Sequence, residues 1–327
     1  MIVKNESKNI PRLLETLKDI IDCISVVDTG STDNTEEVMA EWAKRNGIPC
    51  KIHHEPFRDF GYNRTHSFEM AKKSFPECPY FLLSDADFIW EDNGFDKNKL
   101  CQPFYYVEQY NSVLSYWNIR IIASKYSWVC EGVTHEYWYN RDVPNYGTNR
   151  LSELRIHDLE DGGCKENKFS RDEALLKKAL ESNESNESKL PKRLISRYHF
   201  YLAQTYRDTK RYSEAIEYYK KRVEEKGWYE EVFCSLYMIG KCYAILRDFK
   251  SAEIYLWKAY QYNKNRSEPL FVLATIMLEQ GKREEALKYI EIGEKIKFPE
   301  RDILFIEKPC YETGFQQLRN LLGVAKK

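Results

Sequence analysis

Tyr80-Phe81-Leu82-Leu83-Ser84-Asp85-Ala86-Asp87 decides how this chain is read. A short apolar run bounded by polar residues predicts a buried strand of a parallel sheet. Its end then lies in the crevice where open α/β sheets bind ligands. Two carboxylates there, Asp85 and Asp87, can hold a hard divalent cation against phosphate oxygens. Taken alone, the D-A-D triplet suits a solvated loop or a helix cap equally well. Its surroundings have to decide.

Working outward toward the N-terminus, Met1-Ile2-Val3 is the stub of a strand, followed by Lys4-Asn5-Glu6. Leu13, Leu14, Leu17, Ile20 and Ile21 recur at helical spacing over 10–21, and Pro11 suits a first turn. Ile24-Ser25-Val26-Val27 is a second strand ending in Asp28-Thr29-Gly30-Ser31-Thr32-Asp33-Asn34-Thr35. Asp33 and Glu36 form a capping box for a helix that runs to Arg45 and stops at Asn46-Gly47. Cys50 to His53 reads as a third strand and Asn63 to Lys73 as a third helix. Strand and helix alternating at short intervals predict a parallel, nucleotide-binding sheet. Beyond Asp87, the stretch from Phe104 to Tyr139 is dense in Tyr, Trp and β-branched residues and predicts antiparallel strands.

Composition narrows the classes. With 50 Lys and Arg against 51 Asp and Glu, no charge excess points to nucleic acid or an anionic membrane. The longest apolar run, Leu270 to Leu278, is far short of a bilayer span. Nine cysteines without a C-x-x-C pair or zinc-type spacing, and no signal peptide, favour reduced thiols and a cytoplasmic protein. Cys234 and Cys242 read as core of one helix.

M-I-V-K-N-E at the start, V-V-D-T-G-S-T-D-N-T at 26–35 and D-A-D at 85–87 together resemble the family-two GT-A glycosyltransferases. The resemblance implies an inverting enzyme that takes a nucleotide-diphosphate sugar, uridine diphosphate in most relatives, with Mn²⁺ or Mg²⁺. It implies that Val3, Glu6 and Asp28 hold base and ribose, that Arg64 meets the diphosphate, and that Asp87 binds the metal while Asp85 contacts the ribose or a metal-bound water. A carboxylate at a strand end can accept hydrogen bonds from a base N–H or ribose hydroxyls, and a helix start bearing a guanidinium suits a diphosphate. Asp28 also suits an ordinary strand-to-helix turn, and Arg64 an exposed arginine. Relatives carry several residues before M-I-V-K-N-E, so the first strand is expected to be clipped and the chain a fragment.

Asn118-Ile119-Arg120-Ile121, Trp128 and Gly132-Val133-Thr134-His135-Glu136-Tyr137-Trp138 resemble the subgroup that joins this domain to helical repeats. The resemblance implies Glu136 as catalytic base, following a strand over 132–135, with Glu131, Asp158 and Asp161 as competitors. It also implies His157 as a second metal ligand. Trp128, Tyr137 and Trp138 suit either core packing or a sugar face.

From Phe169 the pattern is helical, interrupted by the polar S-N-E-S-N-E-S-K-L of 182–190, read as a mobile connection. Leu202-Ala203, Tyr206, Ala215 and Tyr219 recur as Ile239-Gly240, Tyr243, Ala252 and Leu256, then as Leu273-Ala274, Met277, Ala286 and Ile290. This is the tetratricopeptide pattern of stacked helix hairpins, with helices over 302–322 capping the stack. The expected architecture is therefore a GT-A α/β domain over 1–165 and an all-α tetratricopeptide superhelix over 166–327. The acceptor is a glycan or a peptide, and the repeats serve docking or a homodimer. Two other readings stand beside it. One is a nucleotidyltransferase, which would need a Gly-rich triphosphate loop where Lys4-Asn5-Glu6 stands. The other is a repeat scaffold with an inactive transferase domain, which the presence of Asp28, Asp85 and Asp87 disfavours.

Overall fold

Alternating strands and helices build the N-terminal half, as their periodicity requires. The computed structural model describes residues 1–112, 115–143, 147, 149–162, 167–185, 187 and 189–323. The chain divides into two compact units, Met1–Arg171 and Asp172–Lys327. The sequence boundary at 165/166 and Gly163 lie outside the described residues.

In the first unit, β1 (Ile2–Val3), β2 (Ile24–Asp28) and β3 (Cys50–His54) form a parallel three-stranded sheet with β2 central. Between them run α1 (Ile10–Leu17) and α2 (Thr35–Asn46), and α3 (Phe60–Ser74) follows. Ile10, Leu14, Val26, Met39 and Trp42 share one core. Gly47 ends α2 in a left-handed conformation (φ +67°), its N–H returning to the Ala43 and Lys44 carbonyls. The expected capping box is absent. Asn34 is the cap residue and makes no side-chain bond. Asp33 instead accepts from Thr35 and from the Ser7 N–H, tying the loop after β1 to the loop after β2.

The D-A-D strand departs from expectation. β4 (Tyr80–Leu82) is half-buried and pairs antiparallel with β7 (Ser115–Ala123). On the other side of β4 a cavity of about 380 Å³ is lined by Met1, Ile24, Ser25, Phe68, Tyr80 and Leu82, among others. The second sheet has the order β4-β7-β6-β10-β5, with β5 (Phe88–Asp92), β6 (Phe104–Tyr110) and β10 (Arg150–Asp158). β6 and β10 run parallel, the other pairs antiparallel. β8 (Val129–Glu131) and β9 (Tyr137–Tyr139) form a separate hairpin.

In the second unit, α4 (Lys168–Glu184), which carries the division between the units, continues into the polar stretch read from sequence as a connection. Then come α5 (Lys192–Asp208) and α6 (Tyr212–Glu225), α7 (Tyr229–Ile245) and α8 (Phe249–Tyr262), α9 (Glu268–Glu279) and α10 (Arg283–Gly293). These are the three repeats. Leu202, Ala203, Ala215, Ile239, Ala252, Leu256, Leu273, Ala274, Ala286 and Ile290 are all fully buried. Cys234 and Cys242 are buried on α7. The capping helices are shorter than expected: α11 (Pro309–Glu312) and α12 (Gly314–Leu321), with α12 against α9 and α10. Residues 302–308 are not helical.

Candidate active site

The ends of β1, β2 and β4 bring most of the expected residues to one side of the unit. Asp28 is buried at the end of β2, opposite Val3 of β1. Its Oδ1 accepts from the Gly30 and Ser31 N–H groups, both at 2.7 Å, in a turn that needs Gly30 at φ +115°. Its Oδ2 is buried and has no hydrogen-bond partner among the described residues. A buried carboxylate oxygen left so is costly and calls for a donor. The Val3 carbonyl is already engaged by the Thr29 N–H and hydroxyl.

Two charge clusters diverge from the D-A-D turn. Asp85 faces arginines. Arg64, one turn into α3, donates to Asp85 at 2.7 Å and to Glu136 at 2.7 Å, so one guanidinium bridges both carboxylates. Arg120 of β7 approaches Asp85 at 3.5 Å. Burial opposes ionisation of Asp85, but Arg64 and Arg120 outweigh it and hold its carboxyl below the usual range. Burial likewise opposes the Arg64 charge, and Asp85 with Glu136 more than offsets it.

Asp87 faces acids. Burial, then the charges of Asp85, Asp158 and Glu6, push its carboxyl up to about 6. Gly162 closes over this cluster: a methyl group there would lie 3.1 Å from Asp87 Oδ2 and 3.4 Å from Glu6 Oε1. Only a bare backbone leaves that space open. Nearby, Arg12 clasps Asp161 with two hydrogen bonds of 2.9 and 2.7 Å.

Among the described residues no group of three or more His, Cys, Asp or Glu is placed to hold a metal ion. The donor set nevertheless fits a cation held by one or two carboxylates and completed by phosphate oxygens, the usual mode for Mg²⁺. Burial and the charges of Asp85, Asp158 and Glu6 oppose ionisation of Asp87, and a cation there would favour its carboxylate.

His157 is not brought to this cluster. Its ring lies flat on Tyr110, 4.8 Å between centroids, on the half-exposed face of the sheet. Strand alternation turns its neighbour Asp158 the other way, where Asp158 accepts from Gln109 at 2.8 Å and acts on Asp87. Leu154 and Ile156 lie in the core, so the same alternation, legible in Leu154-Arg155-Ile156-His157-Asp158, turns Asp158 to their side of the sheet and His157 away from it.

Glu136 does not follow a strand over 132–135. Gly132 (φ +115°) and His135 (φ +50°) make that stretch a tight loop between β8 and β9. The loop packs on the start of α3, where the Gly61 N–H donates to the Gly132 carbonyl. Asp59 caps α3 by accepting from the Tyr62 N–H at 2.7 Å. Glu131 accepts from the Tyr137 hydroxyl. Trp128 is buried core, whereas Tyr137 and Trp138 are half-buried.

Sequence reasoning passed over Arg120 and Gln109. Arg120 is buried, stacked 4.6 Å over Phe88, and donates to Gln109, which in turn donates to Asp158. The signal was present: an arginine inside the apolar run Ile119-Arg120-Ile121-Ile122 has to find a charged partner.

Residues 1–105 match the family model described as Glycosyl transferase family 2, and residues 196–226 match that of a tetratricopeptide repeat. The first unit therefore carries a family 2 glycosyl transferase domain, and a tetratricopeptide-type helical region follows it. No curated protein matches the chain. Among solved structures it is similar to the crystal structure of MamA, at 20% identity over 51% of this chain and 85% of that one, TM-score 0.37. It is similar to YrrB, titled a TPR protein with an unusual peptide-binding site, at 24% identity over 38% and 59%, TM-score 0.32. The apo form of RapI matches at 23% identity over 48% and 42%, TM-score 0.37.

Proposed function

We propose that this chain is an inverting, cation-dependent glycosyltransferase that moves a sugar from a uridine-diphosphate donor to a glycan or peptide acceptor. The observation that carries the reading is the D-A-D turn, which separates a carboxylate neutralised by arginines (Asp85) from one left among acids (Asp87). Structural ion pairing alone would neutralise both. Asp28, with its free Oδ2, suits the base or ribose; Val3 pairs with Asp28 across β1 and β2, whereas Glu6 lies with Asp87. A cation at Asp87, with Glu6 and Asp158 also acting on that carboxyl, would offset diphosphate charge as the nucleotide leaves.

The chain's own groups complete the scheme. Arg64 holds Asp85 and Glu136 together and can exchange either carboxylate for a phosphate oxygen. Glu136, released from Arg64, would accept the proton of the attacking acceptor hydroxyl. Inversion requires that attack from the sugar face opposite the diphosphate. The repeats are assigned to acceptor docking or to a homodimer; light scattering that shows only monomer at micromolar concentrations would remove the dimer.

The test is a thermal-shift screen of nucleotide diphosphates and their sugars with and without Mn²⁺. UDP with Mn²⁺ should raise the melting temperature, and the gain should vanish in Asp87→Asn. Equal stabilisation by GDP or dTDP would overturn the uridine assignment. No response to any nucleotide would overturn the transferase reading.

A further inference from the structure

Stacked helix hairpins present their first helices as one face, and here that face carries a piece of the chain itself. After α10 the chain returns in an irregular, partly extended run through Asp302-Ile303-Leu304-Phe305-Ile306-Glu307, across α5, α7 and the start of α9. The hold is mainly on the backbone. Glu230 of α7 accepts from the Ile303 and Leu304 N–H groups, both at 2.7 Å. Arg266 donates to the Leu304 carbonyl at 3.2 Å and the Phe305 carbonyl at 3.1 Å. Glu268 accepts from the Glu307 N–H at 3.2 Å. Glu230 is 4% exposed, and Arg266 and Glu268 are 0% exposed. Buried charges need partners: Arg266 and Glu268 pair with each other at 2.8 Å, Glu268 also accepts from the Tyr311 hydroxyl, and further bonds of these two, with those of Glu230, go to the extended main chain.

The two acidic ends are held as well. Asp302 accepts from Tyr229 at 2.7 Å and Asn263 at 3.0 Å, with Arg266 at 3.6 Å. Glu307 accepts from Tyr237 at 3.0 Å and Lys241 at 2.9 Å. The apolar side chains between them are split: Ile303 is 76% exposed and Phe305, at φ +48°, is 40% exposed beside Phe200, whereas Leu304 and Ile306 are half-buried. None of the four is fully buried, and the main chain is held by side chains of the repeats rather than by secondary structure, as in a bound peptide.

We propose that the face formed by α5, α7 and the start of α9 is a receptor for an extended peptide with acidic side chains five positions apart. Residues 302–307 fill it in cis and keep other peptides out until they are displaced. Recognition rests mainly on the main chain and the two carboxylates, with Leu304 and Ile306 half-buried between them, so a peptide of that pattern with apolar residues at those two positions fits. This holds whichever reaction the N-terminal unit runs.

The experiment uses the full chain and a fluorescent peptide of sequence Arg301–Lys308, read by anisotropy. Wild type should bind it weakly, because its own segment competes at high effective concentration. A variant with 302–307 replaced by six Gly and Ser residues, and the milder Asp302→Asn/Glu307→Gln, should bind it at least about tenfold more tightly. A peptide carrying Asn and Gln at the two acidic positions should lose that gain. Variants that melt like wild type but bind no better would overturn the proposal. So would loss of the cooperative helical transition in both variants, which would make the segment an integral part of the repeat fold.

Discussion

Asp87 and Glu136 are the side chains on which the chemistry turns, and each makes a separable prediction. The Asp87 carboxyl sits at about 6, against an ordinary value of 3.8. Between those values the native state binds more protons than the unfolded one, so this group lowers stability as pH rises from about 4 through about 6. Chelator-treated Asp87→Asn should therefore be more stable than wild type at pH 7, by roughly 1–2 kcal/mol. The difference should disappear near pH 4, as read by denaturant midpoints at the two pH values. An Asp87→Asn protein less stable than wild type at pH 7 would show that Asp87 is satisfied by partners rather than kept for a cation. Glu136→Gln leaves Arg64 its bond to Asp85 but removes one of the two charges that offset its burial, so stability should fall by about 1–3 kcal/mol. Turnover of the still folded protein should fall by at least about 10²-fold while donor affinity stays near wild type. Transfer within a few-fold of wild type would pass the role to Glu131, Asp158 or Asp161.

At the scale of elements, close backbone approach positions these groups. A methyl group on Gly61 would meet the Gly132 carbonyl at 2.5 Å and the Cys130 carbonyl at 2.7 Å. Gly61→Ala should push α3 away from the loop that presents Glu136, costing about 1–3 kcal/mol and separating Arg64 from Glu136. The check is a lower melting temperature together with a raised donor KM. A stable protein with an unchanged donor KM would mean that Arg64 needs no such positioning. Gly240→Ala, whose methyl would lie 2.6 Å from Leu256 Cγ, should lower stability by a similar about 1–3 kcal/mol without touching donor binding. Elements of this kind were legible in sequence wherever a period or a turn residue fixes them: α1 from its leucines, the end of α2 from Asn46-Gly47, the repeats from their small residues. Two features were not. Which strand neighbours β4 depends on contacts far along the chain. The loop at 132–136 depends on a non-glycine residue, His135, at positive φ. The facing of Asp158 rather than His157 toward Asp87, by contrast, follows the alternation with Leu154 and Ile156, which the sequence carries.

For the whole molecule, the cores of the two units explain why the carboxylates and the repeats can be argued apart. Ile10, Leu14, Val26, Met39 and Trp42 close one core without any residue beyond Arg171. Leu202, Ile239, Leu256 and Leu273 lie in the other, where each helix pair contacts the next. Domains with their own cores can in principle fold alone. Residues 1–171 expressed separately should therefore keep the Mn²⁺-dependent stabilisation by UDP. They should also keep slow hydrolysis of the donor, since Asp28, Asp85, Asp87, Arg64 and Glu136 are all retained. Transfer to the acceptor should suffer instead, through a raised acceptor KM at nearly constant donor KM, if the repeats dock the acceptor. The kinetic split reads the two roles separately. A truncated protein that binds UDP and transfers with an unchanged acceptor KM would leave the repeats to assembly alone. One that is folded by circular dichroism yet blind to UDP would mean that the donor site draws on residues beyond 171.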